Sequence, residues 1–217
     1  MEDVLDIYTR PYDRRQPQVC FDERPVPLRA DVREPLPPRP AAPEHRATPV
    51  REDYEYERTG TANLFLWYEP LQSRRHVEAT EHRCRDDFAH CIKDLVDVHY
   101  PDAERIVLVL DNLNIHSPAS LYVAFEAKEA KRLADKLEIH YTPKHGSWLN
   151  MAEIELAILA TQCLDRRIGD IETLATEAGA WASARNETAT CVNWRFTTAG
   201  ARIKLKHLYP SHDAQDR

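Results

Sequence analysis

The sequence predicts a mixed α/β sandwich, and three observations carry that prediction. The run Ile106-Val-Leu-Val-Leu110 is apolar throughout, the pattern of a central strand covered by helices on both faces. Strand and helix patterns alternate along the chain instead of forming separate blocks. At 217 residues, 42% hydrophobic and 30% charged, the chain can bury a core without disulfides or a structural metal.

The elements follow in order. Met1 to Asp13 is a short amphipathic stretch (Val4, Leu5, Ile7, Tyr8) ended at Pro11, read as one helix. Val19-Cys20-Phe21 is a short strand leading to Asp22-Glu23. Between Glu34 and Pro49 stand prolines 35, 37, 38, 40, 43 and 49. They remove backbone donors and impose extended geometry, so residues 34–49 are a semi-rigid arm inserted after the first strand. Tyr54 to Tyr68 reads as a hairpin turning at Gly60, with a third strand at Arg75 to Thr80. Phe88, Cys91, Ile92, Leu95 and Val96 have near-helical spacing, giving a helix over 85–99 closed by Pro101. After the strand at 106–110 come a helix at 120–136, a strand at 138–142, a loop at 143–147, and helices at 149–165 and 171–185.

Composition excludes several functions. The longest apolar runs are far short of the roughly 20 residues that span a bilayer, and Glu2-Asp3 is the wrong charge for a secretory leader. The expected place is the cytoplasm. Cys20, Cys84, Cys91, Cys163 and Cys191 are odd in number and form no C-x-x-C pair, which argues for a reducing compartment and against a zinc ribbon. Five scattered glycines exclude a Walker loop and a dinucleotide fingerprint. A net charge of -7 argues against a general nucleic-acid binder, yet Trp194 to Tyr209 holds Arg195, Arg202, Lys204 and Lys206 with no acid.

Three carboxylates are candidates for chemistry. Asp111 lies just beyond the buried strand, where ligands of α/β sheets bind. It either meets a cation there or caps the next turn. Asp22 ends another apolar strand and carries the same two readings, while Glu23 points to the opposite side of the sheet. Glu153 opens an apolar helix and either binds a ligand or caps that helix. Glu155 is the weaker choice. Such carboxylates suit a hard divalent ion.

Val107 to His116 together with Tyr141 to Glu153 resemble the core of a DDE transposase of the bacterial insertion sequence 630 family, in the mariner superfamily. Cys20-Phe-Asp22-Glu23 resembles its first acidic motif, and Trp194 to Lys206 its C-terminal end. The resemblance implies a ribonuclease H-like fold, one catalytic domain over 1–217, and two magnesium or manganese ions held by Asp22, Asp111 and Glu153. Asp22 would be shared between the ions. It further implies cleavage of double-stranded DNA at transposon ends and strand transfer to a TA target. Asn112 and His116 would stand beside the metal ligands or near DNA, and Lys144 and His145 would meet its backbone. The basic segment at 190–210, with Arg202, Lys204 and Lys206, is a further DNA contact, whereas Trp148 reads as core. The arm would clamp a second copy in a homodimer.

Two features depart from the family pattern. Forty-one residues separate Asp111 from Glu153, a wider gap than the mariner type has. Only 21 residues precede Asp22, where family members carry helix-turn-helix modules. The recognition domain is therefore expected to be absent or supplied by another chain. Two alternatives to the transposase reading stand: a non-catalytic remnant that pairs with full-length copies, and an ordinary nuclease of this fold.

Overall fold

The computed structural model describes residues 1–189, 192 and 194–209. Cys191, and residues 190, 193 and 210 of the basic segment, lie outside the described residues.

The chain opens with α1 (Glu2–Ile7), followed by β1 (Gln18–Asp31), β2 (Tyr56–Glu69) and β3 (Arg74–Thr80). Helix α2 (Arg85–Asp94) runs into a π-helical turn at Leu95–His99 and is followed by β4 (Ile106–Leu110). Then come α3 (Pro118–Ala124), α4 (Ala127–Asp135), β5 (Leu137–Tyr141), α5 (Met151–Gln162), α6 (Ile171–Glu187) and α7 (Thr198–Lys204). The five strands form one sheet in the order β3-β2-β1-β4-β5. The first three pair antiparallel, and β4 and β5 run parallel to β1. That is the ribonuclease H-like arrangement implied by the resemblance.

Side-chain alternation along the strands divides the core into two layers. Cys20, Val26, Leu28, Leu64, Leu66, Val107 and Val109 face α1, α5 and α6. Val19, Phe21, Phe65, Trp67, Ile106, Leu108 and Leu110 face α2, α3 and α4. Strand β4, central and buried at all five positions, is the strand its composition predicts.

Four elements differ from expectation. Strand β1 does not stop at Phe21 but continues for 14 residues through Pro25 and Pro27. Only Gln18 to Cys20 pair with β4, so beyond them one edge of β1 is open, and a proline on an open edge breaks no ladder bond. Gly60 does not turn a hairpin. It lies within the continuous strand β2 at φ +146°, opposite Leu28, where the register with β1 shifts. A bulge needs that backbone freedom as much as a turn does. The helix expected at 120–136 breaks at Phe125, which adopts an extended backbone. Its ring takes a place between His90, 5.0 Å away edge-on, and the Lys93 ammonium. The basic stretch holds an unforeseen helix, α7, capped by the Thr197 side chain.

The arm lies between β1 and β2, as expected, but it folds back on itself. Isolated bridges pair Leu36 with Arg51, Arg39 with Thr48 and Ala42 with His45. From residue 31 to 50 only Pro35 and His45 are other than exposed.

Candidate active site

Register places the first two candidate carboxylates. Cys20 pairs with Val109 across the parallel β1–β4 ladder, so Asp22 and Asp111 both lie two residues further on, on adjacent strands about 4.8 Å apart. Both have the parity of the core layer that faces α5. Glu23, of opposite parity, points to the α2–α3 layer, as expected.

Helix α5 meets Asp22 through its cap. Asn150 Oδ1 accepts from the Ala152 amide at 3.1 Å, while its Nδ2 donates to the Phe21 carbonyl at 2.8 Å and more loosely to Asp22 Oδ2 at 3.4 Å. One buried side chain thus starts the helix and ties it to β1 just beyond its pairing with β4. Because Asn150 does the capping, Glu153 is released from it. The Glu153 carboxylate is exposed and, among the described residues, forms no hydrogen bond or ion pair.

Asp111 has both of its expected roles in part. Its Oδ1 accepts from the Leu113 amide at 3.2 Å, closing the turn, and from His116 Nδ1 at 2.5 Å. His116 is buried against Phe21 and Phe88, and its Nε2 lies 2.8 Å from Glu23 Oε2, with poor hydrogen-bond alignment. Burial disfavours the imidazolium, but the two carboxylates outweigh burial and raise the His116 pKa to about 9. The same contact with His116 holds Asp111 below the usual carboxylate range. Asp22 differs. Burial above all, then the nearby Glu23 and Asp111 charges, raises it to about 7, against the Glu23 amide that donates to Oδ1.

The donor set suits a hard divalent cation. Two carboxylates stand abreast, a third is free at the start of α5, and no lysine or arginine pairs with any of them among the described residues. Still, no three side chains converge closely enough among the described residues to hold a metal ion.

The sequence pattern of the DDE superfamily endonucleases matches residues 17–175. The chain belongs to that family. No curated protein matches it. Among solved structures, the fold of this chain is similar to that of the Mos1 mariner paired end complex with Mn and the Mos1 transposase paired-end complex with left transposon end. Each has a TM-score of 0.55 and 16% identity, covering 86% of this chain and 54% of that one. The chain therefore spans about half the length of those transposases.

The other expected site residues fall into different places. Asn112, Lys144, His145 and Lys206 are exposed. His116 is only 1% exposed and lies between the Glu23 and Asp111 carboxylates. Arg202 is engaged by Glu2 through two hydrogen bonds of 2.8 Å, and Lys204 lies over the Phe196 ring. Trp148, read as core, is 43% exposed. Glu155 is fully buried between Arg75, 2.9 Å away, and Arg185, 3.1 Å away, an ion triad that joins α5 to β3 and α6. Sequence reasoning gave no role to Glu23 as the partner of His116. The only available signal was a carboxylate at the strand position facing the apolar layer that receives the buried imidazole.

Among the described residues no helix is long and apolar enough to cross a membrane.

Proposed function

We propose that the chain is the catalytic part of a transposase that cuts double-stranded DNA at transposon ends and joins the freed 3′-hydroxyl to a TA target. One observation carries this within the family: Asp22, in β1 just beyond its pairing with β4, and Asp111, just after β4, lie at one level, with the start of α5 tied to Asp22 through Asn150. Asp22, Asp111 and Glu153 would hold two magnesium or manganese ions. When bound, these ions activate the attacking oxygen and neutralise charge on the attacking and leaving oxygens. The protein's own part is to fix the carboxylates. His116 locks the rotation of Asp111, Asn150 holds Asp22, and the free Glu153 carboxylate, in the first turn of α5, would complete the set on moving toward them. Exposed Asn112, Lys144, His145, Lys204 and Lys206 would meet the phosphate backbone. The setting is the cytoplasm of a bacterium. The arm would dock on a second copy, and a separate helix-turn-helix chain would recognise the ends.

The test is nicking of supercoiled plasmid with magnesium, where Asp111→Asn abolishes the activity of a stably folded wild type. A second reading, a non-catalytic remnant that pairs with full-length copies, is favoured by the lack of any three converged metal-ligating side chains among the described residues. Absence of nicking by the wild-type protein with either magnesium or manganese would select it.

A further inference from the structure

We propose that Trp148 is a platform on which one unpaired DNA base stacks beside the carboxylates; this rests on the DNA-cutting function proposed above. A tryptophan in a buried layer would need no such role, but Trp148 leaves 43% of its surface to solvent. It is nevertheless held in place. Its ring lies parallel to Trp194, 6.4 Å between centroids and 14° between planes, with Phe196 tilted against it at 5.7 Å. Trp194 is fixed in turn by donating its indole N–H to the Phe196 carbonyl at 2.8 Å and by the Tyr8 ring at 5.0 Å. The Tyr8 hydroxyl donates to the Leu149 carbonyl at 2.6 Å, anchoring the residue after Trp148.

The preceding loop is equally constrained. His145 sits at φ +63°, and a Cβ on Gly146 would lie 2.6 Å from the Pro143 ring. A rigid, half-exposed indole loses little entropy when a flat ring stacks on it.

Position and charge select the occupant. Trp148 is two residues from Asn150, which contacts Asp22, so the platform adjoins the proposed cutting site. The segments that build it carry exposed Lys144, His145, Arg195 and Lys204, and no acid lies between Trp194 and Tyr209. Glu2 neutralises Arg202 and Asp6 meets Thr198, but Lys204 lies over the Phe196 ring, and an aromatic face whose own segments carry these exposed cations matches a base with its flanking phosphates. In a duplex both faces of a base are stacked, so the fitting ligand is a base displaced from the helix at the cut.

The experiment uses the full chain in EDTA at low salt with two duplexes. One has 2-aminopurine opposite thymine, the other opposite an abasic site. The expected result is quenching of the unpaired probe and binding of that duplex about 5- to 100-fold tighter than the paired one. Trp148→Ala removes the preference and leaves binding of the paired duplex; Trp148→Phe retains part of the preference. Should Trp148→Ala fail to fold, the Phe variant and the wild-type quench decide. Equal affinities for the two duplexes, unchanged in Trp148→Ala, overturn the platform while the proposed function stands. No binding to either duplex overturns both. Tryptophan emission that shifts to the blue with protein concentration alone gives this face to a second copy and also overturns it.

Discussion

His116 joins two carboxylates that belong to opposite faces of the sheet, Asp111 and Glu23. Removing it leaves the nearly buried Glu23 carboxylate, among the described residues, with Arg83 alone, 3.5 Å away. His116→Ala is therefore expected to cost about 3–5 kcal/mol of stability, measured by urea unfolding. Asp111→Asn keeps an acceptor for His116 and relieves repulsion on Asp22. It is expected to change stability by less than about 1 kcal/mol while abolishing nicking. Away from the site, burial first, then His76 and Arg74, lowers His99 to about 4. An unfolded histidine titrates near 6.5, so this group's stabilising effect is present above that pH and lost as pH falls through 6.5 towards 4. Thermal melts from pH 7 to 4 should show a smaller loss in His99→Gln than in wild type. The shared level of Asp22 and Asp111 was legible in sequence because each follows an apolar run and strand parity sets its face. The link from His116 to Glu23 was not, because a strand and a loop distant in sequence must come together before the imidazole and the carboxylate meet. Glu153 and Glu155 look alike in sequence; only the packing of Arg75 and Arg185 shows that Glu155 is structural.

At the level of elements, that triad stitches α5 to β3 and α6. Glu155→Ala would bury two guanidiniums without their carboxylate, and about 3–5 kcal/mol of destabilisation is expected in chemical denaturation. The arm behaves differently, because its bridges are its own and its side chains are exposed. Replacing Pro35 to Ala47 with a short glycine-containing turn should leave the melting temperature nearly unchanged. If the arm docks on a second copy, light scattering will show a dimer becoming a monomer; a shortened protein that is still dimeric makes the arm only a connector. Sequence gave the order of the elements but misplaced several ends. The first strand was ended too early because the open edge that lets Pro25 and Pro27 lie within β1 is not visible in sequence, and Gly60 reads as a turn until a bulge needs it. The break at Phe125 has no local signal, since no glycine or proline lies there; a tertiary contact imposes it.

For the whole molecule, two apolar layers on one sheet explain why a chain with few glycines and no disulfide framework can hold carboxylates rigidly at a sheet edge. Those layers follow from alternation and were readable in the strands. The contacts that close the molecule were not. Helix α1 is pinned by Glu2 to Arg202 and by Asp6 to Thr198, while Asp3 reaches His140 on β5. These are polar contacts between distant segments that no periodicity encodes.

The ion pair of Glu2 with Arg202 holds α1 beside α7. A circular permutant that omits residues 210–217 can therefore be cut at the arm tip, between Pro43 and Glu44, and rejoined from Tyr209 to Met1 through a short glycine-serine bridge. Such cuts succeed at exposed tips that carry few contacts, and this one should melt within a few degrees of the native order. The same contact fixes where a passenger would ride. Any module fused ahead of Met1 leaves the fold beside α7 and the Trp194 stack, so its tether length alone would set its local concentration over that face.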